Sequence, residues 1–218
     1  MPTASRPRRT NAERTASTRA KILDAAAGCL GELGYAQTTT TVVAERAGVS
    51  RGALLHNFPT RSELVVAAAQ HAFDQRVEEV RALARSLGEE TDRAEAMIET
   101  LFAMSKGPTI DAYFELIVAG RSDPELGALV EALSTRFENT VDAVFGEFFA
   151  RPADPALQPF YEAVPTMFMA IVDGLAAQRL ARSPAVDHHG EVLELTKFLG
   201  QMLLQLQSAT PEEGSSCP

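Results

Sequence analysis

The sequence predicts an all-α protein, and three observations carry that prediction. Apolar residues recur at helical spacing through most of the chain. No stretch shows the strict alternation of a half-buried strand. The breaks between apolar runs fall on Gly, Pro, Ser, Thr and Asp, the residues that start and stop helices. With 218 residues and 45% apolar content, the chain can form one large or two small globular domains.

Taken in order, residues 1–12 are rich in Pro, Arg and Thr and are expected to be a disordered basic arm. The first helix runs to about Leu33, with Ile22, Ala26, Cys29, Leu30 and Leu33 on one face, and Gly34 ends it. The run "TTTT" at 38–41 supplies capping chemistry for a short second helix through Ala47, which Gly48 breaks. Ser50 then caps a third helix, with Val49 and Leu54 placed as a hydrophobic staple. Thr60-Arg61-Ser62-Glu63 fits a capping box, so a long fourth helix is expected from there to about Leu87. Further helices are expected near 91–105 and 110–120. Asp123-Pro124 reads as cap plus first-turn proline for a long helix whose stripe includes Leu126, Val130, Leu133, Phe137, Val141 and Val144. Two last helices, roughly 157–182 and 188–208, precede a tail at 209–218 that is expected to be disordered.

Charge is unevenly spread. Residues 1–61 hold nine Lys/Arg against four Asp/Glu, while the remainder holds eleven against twenty-five, for a net charge of −9. A basic N-terminal segment on an acidic body can meet a polyanion with one face while the rest stays solvated. The two cysteines, Cys29 and Cys217, give neither a disulfide framework nor metal-ligand spacing. No run of about 20 apolar residues and no signal-peptide core is visible in the sequence, which points to the cytoplasm and away from a membrane.

Two short helices joined by a Gly-containing turn form a helix-turn-helix, whose second helix can enter the DNA major groove. That groove is ~12 Å wide and admits one helix, whose first turn reaches the bases. Gly52 and Ala53 leave room for close approach, and Arg51 can donate two hydrogen bonds to guanine O6 and N7. Thr40 and Thr41 open the preceding helix, where free N–H groups can hold a phosphate.

The stretch "TTVVAERAGVSRGALLHNFPTRSELVVAA", and within it "AGVSRGALLHNF" followed by "TRSEL", resembles the N-terminal domain of the tetracycline-repressor (TetR) family of transcriptional regulators. The close likeness covers about residues 18–66. It implies a DNA-binding domain at 13–60 and, at 61–208, a helical domain that binds an effector and dimerises through its last two helices. By position, Arg51, Gly52 and Ala53 would face bases. Thr40, Thr41, Ser50, His56, Asn57 and Arg61 would face phosphates or flank the groove. Leu55 stands where the family usually has a phosphate-touching Tyr, so that contact is expected to be missing. Arg61 replaces the usual Lys and keeps the charge.

The plainer alternatives are an exposed helix-start arginine for Arg51, simple capping for the threonines, and a turn-stabilising role for His56. Arg6, Arg8 and Arg9 could enter a minor groove or stay solvated. Asp187, His188, His189 and Glu191 are read as a helix cap with exposed histidines rather than as a metal set. Phe102, Met104, Tyr113, Phe114, Phe137, Met167 and Phe168 are candidates for lining a ligand cavity. The stripe Ala170, Gly174, Ala177 and Ala181 is the candidate for the closest approach of a partner.

The sequence therefore predicts a homodimeric repressor that binds double-stranded DNA at a palindromic operator and is released by a small, largely hydrophobic molecule, with no cofactor. An architectural DNA-binding dimer without effector and an all-α enzyme are the alternatives. The enzyme reading finds no nucleophile-base spacing and no phosphate-cradling glycine loop to support it.

Overall fold

The computed structural model describes residues 11–86, 90–149, 151–181 and 188–208. Of the arm expected at 1–12, residues 1–10 lie outside the described residues, as do Asp187, Cys217 and the tail from 209, whereas Asn11 and Ala12 already belong to the first helix rather than to a disordered arm. The described residues are largely helical, with no strand among them: α1 Asn11–Gln37, α2 Thr40–Ala47, α3 Arg51–Asn57, α4 Arg61–Ser86, α5 Glu90–Ala103, α6 Pro108–Gly120, α7 Pro124–Phe148, α8 Gln158–Ala181 and α9 His189–Ser208.

The capping chemistry read from the sequence is in place. Gly34 interrupts α1 with φ 75°, a left-handed backbone that a side chain rarely adopts. The glycine kinks the helix where it was expected to end it, and a further turn continues to Gln37. Thr39 accepts from Val42 N and caps α2, and Gly48 closes that helix in the left-handed conformation. Ser50 Oγ accepts from Ala53 N at 3.1 Å. Thr60 Oγ1 accepts from Glu63 N at 3.1 Å. Asp123 accepts from both Glu125 N and Leu126 N at the head of α7. The sixth helix begins at Pro108 rather than Ile110, because proline at the first helical position needs no N–H partner.

α4 is the axis of the molecule and packs against α1, α5, α6 and α7. Its buried Leu64, Val65, Ala68 and Ala69 meet Ile22, Ala26, Cys29 and Leu30 of α1. Further along, Phe73, Val77 and Val80 meet Phe137, Val141 and Val144 of α7. One apolar core therefore runs from α1 to α8. Leu33 does not join it. At 39% exposure it sits at the rim, because the chain turns at the next residue.

α6 bridges α1 to α7. It approaches α7 at Gly120 and Gly127, where a Cβ on Gly127 would stand 2.8 Å from the Gly120 carbonyl oxygen. Backbone cannot yield as a side chain can, so both residues must be small there.

α8 packs on α6 and α7, while α9 packs on α5. By length and composition Pro155–Ala181 could cross a membrane. Its buried Phe168, Val172 and Ala176 instead face protein, and Arg179 pairs with Asp111 of α6. The outward side of these two helices nonetheless carries Phe160, Leu180, Leu195, Phe198 and Met202, all 43–67% exposed.

Candidate nucleic-acid interface

The fold holds α3 on the surface by one buried face. Leu54 (0% exposed) and Phe58 (2%) anchor it in the core, and Ser50 and Gly48 fix the turn that precedes it. What remains outward is the predicted set. Ser50, Arg51, Gly52, Leu55 and His56 are exposed, and Ala53 and Asn57 are half-buried. Arg51 has no hydrogen-bond or ion-pair partner among the described residues, which leaves its planar fork available. A Cβ on Gly52 would meet only Ser50 Oγ, at 4.0 Å. The chain itself therefore does not need glycine at this position. Its smallness faces outward, toward whatever approaches.

His56 is exposed rather than tucked under the turn. Asn57 Nδ2 bonds back to Ala53 O at 2.8 Å, which steadies the last turn of α3. In the threonine run only Thr38 is buried, with its hydroxyl on Gly34 O at 2.8 Å; Thr41 is exposed and Thr40 half-buried.

The cationic side chains around α3 are held by local bonds that the sequence did not announce. Arg19 of α1 donates to Asn57 O at 3.2 Å and lies over the Phe58 ring at 4.3 Å. Arg46 pairs with Glu32 at 2.5 Å, and the hydrogen bond from Arg46 holds the Glu32 carboxyl below its ordinary range. Arg61 is the most committed. It donates through Nε to Thr38 O at 2.9 Å, through Nη2 to Tyr35 O, and stacks over the Tyr35 ring at 4.0 Å. The first residue of α4 thus clamps the junction of α1 and α2. Tyr35 in turn donates its backbone N–H to Glu115 of α6. A guanidinium bonded to neutral carbonyls keeps its charge, so Arg19 and Arg61 still contribute positive potential beside α3.

Away from this face, α4, α6, α7 and α8 enclose a cavity of about 320 Å³. It brings together four of the expected ligand-lining residues, Met104, Tyr113, Phe137 and Phe168. Phe73 stacks on Phe137 with ring centroids 3.9 Å apart. Met167 lies instead in a second apolar cleft lined by α4, α5, α7, α8 and α9, which Phe168 also borders. Phe102 is fully buried, edge-on to Phe168 and to His189, and Phe114 stands edge-on to Tyr113. Tyr113 donates its hydroxyl to Ser134 Oγ at 2.7 Å, since Ser134 itself donates to Val130 O. Burial outweighs that bond and raises the Tyr113 hydroxyl above its usual range. Of the two histidines expected to be exposed, His188 is exposed and pairs with Glu191 at 3.8 Å, whereas His189 is half-buried because its ring packs edge-on to Phe102.

Among known proteins, residues 22–68 match the family model described as bacterial regulatory proteins, tetR family. The HTH-type transcriptional regulator CymR of Pseudomonas putida is 39% identical over 119 residues, 55% of this chain and 59% of that regulator, so the likeness spans little more than half of either protein. The crystal structure of the multidrug binding protein EbrR complexed with imidazole superposes with a TM-score of 0.58 at 21% identity, covering 95% of this chain and 100% of that one. A TetR transcription regulator from Haloarcula marismortui gives 0.59 at 16% identity, covering 88% and 98%. At such identities the two structures establish a shared fold.

Proposed function

We propose, from the match of residues 22–68 to the tetR family model, that this chain is a homodimeric, ligand-responsive repressor that binds a palindromic DNA operator and releases it when a small molecule enters the helical body. The observation that carries the DNA part is α3. It is a buried-backed helix whose outward residues are an arginine with no partner among the described residues, a glycine with empty space around it, and the exposed side chains of Leu55 and His56. Arg51, Gly52 and Ala53 read bases. Thr40, Thr41, Ser50, His56, Asn57 and Arg61 hold or flank the backbone. Residues 13–60 form the reading domain, and 61–208 the effector and dimerisation domain, in the cytoplasm.

A dimer follows from the target. Two recognition helices must reach successive major grooves about 34–36 Å apart, which a two-fold pair does on a palindrome. The outward faces of α8 and α9 supply the surface, since exposed apolar patches of this kind mark interaction sites. Ala170, Ala177 and Ala181 are exposed, and a Cβ on Gly174 would meet nothing within 4 Å in the single chain. Gly174→Leu is expected to leave the fold of the protomer intact and to lower dimer affinity by filling the space a partner helix needs. Sedimentation at decreasing concentration reads this directly. A profile identical to the parent protein would move the interface elsewhere.

The cavity supports the effector part. Its lining draws on α4, the helix that also begins at the Arg61 clamp, so a molecule pressing on α4 acts on the element that holds α1 and α2. EbrR, which shares the fold, is a multidrug binding protein. An inducer that weakens DNA binding must itself bind the DNA-bound protein more weakly by the same factor. Thermal-shift screening of a metabolite and drug library, with operator release measured for each hit, tests the mechanism. Hits that stabilise the protein yet leave operator affinity unchanged would leave a DNA-binding dimer without effector control.

A further inference from the structure

Among the described residues, Asp173 on α8 is the one acidic side chain lining the cavity, and its Oδ1 is buried with no hydrogen-bond partner. An orphaned buried acceptor is costly, by about 1–3 kcal/mol, and native proteins keep few of them. Its surroundings sharpen the question of what would satisfy it. Phe73, Tyr113, Phe137 and Phe168 line the same cavity, and the Tyr113 proton is already given to Ser134, so that hydroxyl has only lone pairs to offer. Burial, reinforced by the charge of Glu138, pushes the Asp173 carboxyl above its ordinary range. An opposite charge close by would reverse that shift.

We propose that the cavity takes an organic ammonium ion, its N–H donors on the Asp173 carboxylate and its apolar body among Phe73, Tyr113, Phe137 and Phe168. An N–H donor removes the orphan, a positive charge answers the field of Asp173 and Glu138, and aromatic faces attract a cation within about 6 Å of their centres. Two bases also line the cavity, Arg76 and Lys106. Arg76 is already paired with Glu79 at 2.6 Å and its side chain is 42% exposed, and Lys106 is exposed. Exposed charges such as these are screened by water, whereas the buried Asp173 Oδ1 sits in a lower dielectric where a charge acts more strongly. The cavity lies at the small end of the ~300–1,000 Å³ range of ligand pockets, which suits a single ring with one polar head.

The inference names the chemical class of the effector and so rests on the ligand-responsive reading, but its test does not depend on DNA. Calorimetric titration of the full-length protein near pH 7.5 with benzylamine, benzyl alcohol and benzoate compares a cation, a neutral molecule and an anion of one shape. Benzylammonium is expected to bind about tenfold or more tightly than benzyl alcohol, a difference ordinary for one desolvated charge pair, with benzoate weakest. Asp173→Asn, checked by its circular dichroism, should abolish the preference, benzylammonium falling to the affinity of benzyl alcohol. Benzoate binding as well as benzylammonium, a preference that survives Asp173→Asn, or no binding of benzylammonium at millimolar concentration would each overturn the proposal. Operator release by the same probes is read separately. Asp173-dependent binding without release sustains the cation site and removes its role as the inducer site.

Discussion

Raising the salt from about 50 to about 200 mM is expected to lower the affinity of this protein for an operator duplex by roughly a thousandfold. The reasoning is a count of charges. Arg19 and Arg61 flank α3 and Arg51 enters the groove between the phosphate rows, so the proposed dimer would bring about six positive charges into the phosphate field. Each releases condensed counterion, and log affinity falls against log salt with a slope of about −0.9 per phosphate. The acidic remainder of the chain, with eleven Lys/Arg against twenty-five Asp/Glu, cannot supply such a slope and would repel the duplex elsewhere. Fluorescence anisotropy across a salt series gives the slope. A value near zero would remove the polyanion reading of the N-terminal face, however well the helices are formed.

Arg61→Ala is expected to act on stability as much as on DNA. The side chain bonds two backbone carbonyls and stacks on Tyr35, and Thr38, whose carbonyl it serves, is 0% exposed. Charge-assisted bonds of this kind are the stronger ones, and the orphaned carbonyls each carry a desolvation cost, so a loss of about 2–4 kcal/mol is expected. Denaturant titration should show the midpoint falling, and affinity should fall evenly on matched and scrambled duplexes, because the clamp sets the pose of the whole reading head. Arg61→Lys keeps the charge but not the fork, and should recover DNA affinity more fully than stability. An Arg61→Ala protein as stable as its parent would mean that the residue serves only phosphate.

These two expectations also mark where the sequence was legible. Everything set by neighbours within four residues could be read: the Thr39, Ser50, Thr60 and Asp123 caps, the glycine stops at Gly34 and Gly48, and the apolar stripes of α4 and α7. Helix periodicity exposed the buried side of α3 and, by subtraction, its outward side. What could not be read depends on partners far along the chain. Arg61 reaches residues 23 and 26 positions back, and Arg46 meets Glu32 across a turn. Leu33 has the right spacing for the core and is left outside it by the break one residue later. The cavity illustrates the same limit. Aromatic content suggested a pocket, but which rings share it depends on how α4, α6, α7 and α8 cross. That crossing separated Met167 from Tyr113 and Phe137. It also gave weight to Asp173, which in the sequence looks like any helical carboxylate.

The account rests on Arg51 as a reader of base sequence, and one titration addresses that. A duplex selected by this protein from a random library, and a scrambled version of it, are titrated with the parent protein and with Arg51→Ala. A bidentate contact to guanine contributes about 1–3 kcal/mol of discrimination, whereas a phosphate contact carries no sequence information. The variant is therefore expected to lose affinity on the selected duplex and to bind the scrambled one nearly as the parent does. Equal losses on both duplexes, or no loss on either, would contradict the assignment of α3 as the reading helix.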